Sequence, residues 1–247
     1  MLRYYPARFP GVGVAFTTVD QGNLALHVGD DPEAVLMRRR ELEASLGLDA
    51  QRFWYMDQIH STIILDAGAD VLTASTASGH PTADGLISPC GDGALAVMVA
   101  DCLPVLFIAS TASGTATAVA HAGRRGLLDG ILPDAVERLR AAGGTDVHAW
   151  IGPSICGACY EVPRDMSAEA ELQLPGITTS TRTGTPALNL PAAAAAQLRA
   201  LGVRVEESGI CTLEDKRFYS YRRDNSTGRL AGLLWPVDQD KARNAAQ

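Results

Sequence analysis

Aromatic residues are scarce: Phe, Trp and Tyr make up 6% of the 247 residues, so the core must be built from Ala, Val, Leu and Ile within a hydrophobic fraction of 47%. Basic residues are in deficit, with 21 Lys and Arg against 28 Asp and Glu and a net charge of -7. That balance argues against a broad nucleic-acid-binding surface, while leaving room for a local cluster of arginines around an anionic ligand. No apolar run approaches the length of a membrane span. The opening residues Met1-Leu2-Arg3-Tyr4-Tyr5-Pro6 lack an apolar stretch followed by a cleavage site. The five cysteines are odd in number and not evenly spaced, which speaks against a disulfide framework. A reducing cytoplasm is therefore expected, where a cysteine serves as ligand, nucleophile or core filler. Neither a solenoid repeat nor an interdomain linker interrupts the chain. One catalytic domain over 1–237 and a flexible polar tail over 238–247 are expected.

Apolar periodicity predicts a strand over 12–18 and an amphipathic helix over 32–46 burying Val35, Leu36, Leu42 and Leu46. A strand over 53–59 is expected to deliver His60, followed by a loop from Gly68 to Pro81. The continuous apolar run 94–100 reads as a buried strand. Further strands are expected at 103–108 after the Pro104 break, at 115–120 ending at His121, at 147–151 and at 203–206. A helix is predicted over 127–141, weakened at its start by Gly130 and Pro133. Another is predicted over 191–201, with Pro at its start and Gly202 at its end. Residues 175–189 read as a surface loop. Strands and helices mix without regular βαβ alternation, so the expected class is α/β: a mixed β-sheet core flanked by helices.

The chemistry centres on His60, Cys102 and His121. Two imidazoles and a thiolate suit zinc, and three protein ligands leave a position free for water or substrate. The competing reading is a buried structural cysteine and two loop histidines. Asp101 is a candidate to orient a ligand histidine or to carry a proton. His121-Ala122-Gly123-Arg124-Arg125-Gly126 leads into a helix and suits an anion at free N–H groups, or is a tight turn with solvated arginines. Tyr219-Ser220-Tyr221-Arg222-Arg223-Asp224 offers stacking and phosphate contacts, or forms an edge strand. Cys156-Gly157-Ala158-Cys159 has the CxxC spacing of a redox motif or half a zinc knuckle. No second CxxC exists, and a plain turn is favoured there. His80 and His148 are assigned no role. Gly11-Val12-Gly13 precedes no helix and is not a dinucleotide fingerprint.

Seven blocks in order carry a resemblance: Asn23 to Asp30; Gln58-Ile59-His60; Ala83-Asp84-Gly85; Val99 to Val105; His121-Ala122-Gly123 with Arg125-Gly126; Ile151-Gly152-Pro153 with Cys159-Tyr160-Glu161-Val162; and Phe218 to Asp224 with Thr227-Gly228-Arg229. Together they resemble the bacterial family called laccase-like or polyphenol oxidase. Its members are described as purine nucleoside phosphorylases and adenosine deaminases, and some as peptidoglycan editing factors. The resemblance implies metal ligands at His60, Cys102 and His121. It also implies zinc as the cofactor, with copper as the alternative. Asn23, His27, Tyr160 and Arg222 are inferred to bind substrate, with Asp101, Cys102 and Arg125 catalytic. Two residues depart from the family pattern: Arg124 stands where tryptophan is usual, and Arg38 where asparagine is usual.

The expected activity is phosphorolysis of adenosine, inosine, guanosine-type nucleosides and S-methyl-5'-thioadenosine by inorganic phosphate, with deamination of adenosine. Arg125 is the first candidate for the phosphate. A metal-independent Cys–His hydrolase acting on a cell-wall precursor is the main rival. A multicopper oxidase ranks low, because five histidines cannot furnish several copper centres. A non-catalytic nucleoside-binding protein is the last alternative. A monomer is expected, with no nucleic-acid or membrane partner.

Overall fold

The structure, a computed structural model, describes residues 1–48, 52–68 and 79–237. Along the chain run β1 (Leu2–Tyr4), β2 (Val12–Phe16), α1 (Pro32–Ser45), β3 (Ile64–Asp66), β4 (Gly85–Ser88), β5 (Leu95–Val99), β6 (Leu103–Thr111) and β7 (Gly114–Ala122). There follow α2 (Arg124–Asp129), α3 (Ile131–Ala141), β8 (Thr145–Ile151), α4 (Arg164–Gln173), β9 (Thr178–Ser180), β10 (Pro186–Leu188), α5 (Leu190–Ala200), β11 (Arg204–Glu207) and β12 (Leu230–Pro236).

Alternation along the strands dictates the layers. On β6, Val105, Phe107 and Ala109 face one way, into a core shared with Ile131, Leu132, Val136 and Leu139 of α3 and Leu198 of α5. Leu106 and Ile108 face the other way and pack on Val12, Val14 and Phe16 of β2, Leu95 and Val97 of β5 and Leu234 of β12. The outer face of that second sheet, with Ala96, Met98, Leu233 and Trp235, is covered by Leu42 of α1. The result is helix, four-stranded sheet, six-stranded sheet, helices. The strand orders are β1-β2-β12-β5 and β11-β8-β6-β7-β4-β3, with β9 and β10 forming a separate pair. Pairing is antiparallel except β11 with β8 and β3 with β4, so the core is mixed. Each fully buried Leu, Ile or Phe in these interfaces contributes about 1.5–3 kcal/mol.

Several elements differ from the sequence expectation. The segment before His60 is extended without being a strand; only Trp54 and Asp57 form isolated bridges, to Leu95 and Thr82. His121 lies within β7, paired with Pro104, and does not follow the strand. The helix expected over 127–141 is two helices, because Gly130 adopts a left-handed conformation (φ 100°) between α2 and α3. The stretch 175–189 contains the antiparallel β9–β10 pair. In α1 the inward positions are held by Val35, Arg39, Leu42 and Glu43, while Leu36 is exposed. Arg39 is satisfied there by Leu24 O at 2.9 Å and His80 Nε2 at 3.0 Å, over the Tyr55 ring at 3.7 Å. Residues 218–224 form turns and no strand, and β12 is a central strand of its sheet. The loop expected over 68–81 lies partly outside the described residues, and the tail 238–247 entirely so. Among the described residues no helix is long and apolar enough to cross a membrane.

Candidate metal centre

Strand register places the three residues together. Leu103 pairs with Ala122 and Pro104 with His121, which sets Cys102 at the mouth of the β6–β7 hairpin beside His121. Gly85 pairs with Ala120, bringing Asp84 against His121 from the other side. His60 arrives on the loop that crosses above. One ligand atom from each of His60, Cys102 and His121 lies within 4.8 Å of the others. Cys102 Sγ stands 3.7 Å from His60 Nε2.

Asp84, fully buried, organises the centre. Its carboxylate accepts from the backbone N–H of Ile59, His60 and Ser61 at 3.2, 2.9 and 2.6 Å and from Ser61 Oγ at 2.7 Å. It also stands 2.8 Å from His121 Nδ1. An ionised carboxylate only accepts, so Nδ1 carries the proton and Nε2 is left for the centre. The same bonds hold His60 at φ 63°, a left-handed conformation that costs a non-glycine residue about 1–3 kcal/mol. Burial alone would raise the Asp84 pKa, but the bonds from His121 and Ser61 outweigh it and hold it at about 2.

Cys102 and His121 charge one another. Burial pushes the thiol up, yet the His121 charge and hydrogen bonds from both histidines bring it down to about 6. Burial would lower His121, yet the Cys102 charge and Asp84 raise it to about 9. Gly123 leaves the room these groups need, since a Cβ there would lie 2.6 Å from His60 Cδ2 and 3.2 Å from Cys102 Sγ. Two imidazoles and a readily ionised thiol, with a dedicated carboxylate behind one imidazole, are a donor set that fits a borderline-soft divalent metal.

The centre opens on a cavity of about 390 Å³ lined by His27, Gln58, Met98, Tyr221 and Arg229 among others. Burial and the neighbouring Arg229 charge lower the His27 pKa. Gln58 fixes the floor, donating to Met98 O at 2.7 Å and accepting from Met98 N–H at 2.8 Å.

The other sequence candidates fall around this cavity in different roles. The Asp101 carboxylate accepts from Thr212 Oγ1 and from Arg222 N–H, both at 2.6 Å, at φ 89°. It thus anchors two loops with both oxygens engaged. Asn23 is buried and accepts from Ala25 and Arg229 N–H at 3.0 and 2.9 Å, shaping the backbone under Arg229. Arg38 ties this region to Asp30 at 2.6 Å and Asn23 O at 3.1 Å. Burial and the Cys102 charge raise the Tyr160 pKa, and the Arg222 guanidinium lies 5.2 Å from its ring. Arg222 also donates to Glu161 O at 3.0 Å. Arg125 is exposed and does not line the cavity. Sequence reasoning missed Asp84, Gln58 and Arg229 as site residues, although each lies in a quoted block.

The sequence profile of the family described as multi-copper polyphenol oxidoreductase laccase matches residues 9–236. A Streptomyces coelicolor protein named purine nucleoside phosphorylase is 42% identical over 229 residues, covering 90% of this chain and 91% of that protein. The solved structure of a Neisseria meningitidis protein superposes with TM-score 0.76 at 34% identity, covering 94% of this chain and 96% of the other. YlmD from Geobacillus stearothermophilus superposes with TM-score 0.81 at 30% identity, covering 94% of each chain.

Proposed function

The chain belongs to the family described as multi-copper polyphenol oxidoreductase laccase, and from that membership and its centre we propose that it is a zinc-dependent purine nucleoside phosphorylase. One observation carries the reading: a three-ligand centre opens on a cavity of about 390 Å³ that also presents the Tyr221 ring and the Arg229 cation. His60, Cys102 and His121 would hold zinc, which when bound supplies Lewis-acid chemistry at its open coordination position.

The protein's residues account for the rest of the reaction. Tyr221 offers a face on which a purine stacks, with the Arg229 guanidinium 5.8 Å from its ring. Arg229 pairs with inorganic phosphate, a role sequence reasoning gave to Arg125. A phosphate oxygen attacks ribose C1′, the bond from C1′ to the purine nitrogen breaks, and the purine leaves with a proton. His27, kept neutral by burial and the Arg229 charge, would orient the ribose. Asp101 acts as a positioning residue, holding the Arg222 and Thr212 loops. Adenosine, inosine, guanosine-type nucleosides and S-methyl-5'-thioadenosine are the proposed substrates. The same pocket would deaminate adenosine, water replacing the 6-amino group and ammonia leaving.

Zinc is proposed over copper because two imidazoles and one thiolate, with a position left for water or substrate, are the donor set of a catalytic zinc site.

The test is metal content with turnover. Wild type and Cys102→Ala, purified without added metal, are assayed for zinc and copper, then incubated with adenosine and inosine with and without phosphate. Zinc in wild type together with phosphate-dependent base release, the base release being lost in Cys102→Ala, is the expected result. Wild type that converts neither nucleoside, whatever metal it holds, would overturn the proposal.

A second reading draws on the Cys102, His121 and Asp84 series, which also resembles a nucleophile, base and orienting carboxylate. A hydrolase of cell-wall precursors built on it would keep its activity in chelator, whereas the zinc enzyme would not.

A further inference from the structure

We infer that the protein carries a second, structural zinc site formed by Cys156, Cys159, Cys211 and Glu214. One ligand atom from each of the four lies within 4.8 Å of the others. This cluster stands apart from the His60, Cys102 and His121 centre, and the proposed activity does not use it.

Two turns face each other there. The first is Cys156-Gly157-Ala158-Cys159, closed by Cys159 and Tyr160 N–H donating to Cys156 O, both at 3.0 Å. The second is Cys211-Thr212-Leu213-Glu214, closed by Glu214 and Asp215 N–H donating to Cys211 O at 3.2 and 2.9 Å. The missing second CxxC is thus supplied as CxxE from a distant part of the sequence. A parallel bridge between Ser154 and Cys211 locks the turns in register, with Ser154 N–H on Ile210 O at 3.2 Å and Thr212 N–H on Ser154 O at 3.1 Å.

The donor chemistry fits zinc. A tetrahedral site with Zn–S near ~2.3 Å sets its ligand atoms about 3.8 Å apart, so the observed separations need only small inward movement. Cys159 Sγ is already 3.3 Å from Glu214 Oε1. Cys156 N–H donates to Cys211 Sγ at 3.4 Å, a bond that favours thiolate over thiol. Binding would release the three thiol protons and leave a net negative cluster. Arg182 lies against it, ion-paired with Glu214 and 3.9 Å from Cys159 Sγ, and offsets that charge. Four protein ligands close the coordination shell, which marks a structural site.

Its place gives it a task. Cys159 precedes Tyr160, and Cys211 precedes Thr212, whose hydroxyl holds Asp101 next to Cys102. Arg223 caps the same turn at Thr212 O, 2.8 Å away. A metal here would pin both turns and, through them, one wall of the cavity.

The test uses the full chain, expressed with zinc and purified in reductant without chelator. The Cys102→Ala protein, in which the first centre is crippled, should retain about one zinc per chain. Adding Cys156→Ser and Cys211→Ser should remove it. Cobalt(II) substitution of Cys102→Ala should give thiolate-to-metal charge-transfer absorption that the triple variant lacks. If the triple variant fails to fold, Glu214→Ala in the Cys102→Ala background should surrender zinc to a competing chelating dye at least tenfold more readily. Cys102→Ala that takes up no zinc would overturn the proposal. So would a Cys156–Cys159 disulfide in protein whose thiols were trapped at lysis. Failure of the nucleoside reading would show as wild type that releases no base, and would leave the zinc count of Cys102→Ala unchanged.

Discussion

Replacing Asp84 by Asn keeps its volume and removes its charge. The folded pKa of about 2 lies below the ordinary 3.8. A depressed carboxylate contributes stability above its unfolded pKa and loses it as pH falls through the folded one. The difference, at 1.36 kcal/mol per pH unit, is roughly 2 kcal/mol at neutral pH. The amide group adds a further penalty, because its N–H₂ must face a donor: the N–H groups of Ile59, His60 and Ser61 or His121 Nδ1. A mismatched buried donor costs about 1–3 kcal/mol. At about 2–4 °C per kcal/mol for a chain of this size, Asp84→Asn should melt roughly 6–20 °C below wild type at pH 7. The gap should narrow as pH falls below 4. Because His121 would lose its orienting partner and His60 the bonds that hold its left-handed backbone, metal affinity should fall about 10–100-fold. Thermal melts across pH, with metal titrations at pH 7, measure both. Equal melting temperature and equal metal affinity in the variant would refute Asp84 as organiser of the centre.

Gly123→Ala should fold, yet lose metal affinity, since its Cβ would press on His60 Cδ2 at 2.6 Å; zinc titration beside circular dichroism checks it. In metal-depleted protein, alkylation of Cys102 should be half-maximal near pH 6, where its thiol ionises against His121, far below an ordinary cysteine; zinc should block it. A rate still rising through pH 8 would contradict the pairing. Arg229→Met should raise the KM for phosphate at least tenfold with a smaller effect on the KM for inosine, whereas Arg125→Met should leave both near wild type; steady-state kinetics in each substrate decide.

Strands with one unbroken apolar or alternating run, such as β5 and β6, were legible in the sequence, as was α5 with its Pro start and Gly202 end. Less was legible where tertiary partners override pattern. Arg39 and Glu43 are not among the residues expected to be buried in α1, yet they point inward, Arg39 meeting Leu24 O, His80 and the Tyr55 ring and Glu43 meeting Phe53 N–H and Arg52. Gly130 was legible as a weak point of the helix over 127–141, but not that its left-handed φ splits the segment into two helices. The His60, Cys102 and His121 trio was found through donor chemistry and family resemblance, since the strand register that unites it spans three segments. Asp84 escaped notice because a lone acid in Ala-Asp-Gly signals a turn as readily as a hub. Cys211 and Glu214 lie more than fifty residues beyond the CxxC, so their convergence could not be read from local spacing.

The β6–β7 hairpin has a kinetic meaning as well. It presents Cys102 and His121 from one two-stranded ladder, while His60 sits on a loop tied by the Asp84 carboxylate and, through Gln58, by Met98. A chelate with two fixed arms and one hinged arm exchanges its metal one arm at a time. Release of a bound ion would then be limited by the lifting of the loop that carries His60. The lifetime of the bound ion should therefore track the opening rate of that loop, so that amide hydrogen exchange at His60 and Ser61 becomes a clock for metal release.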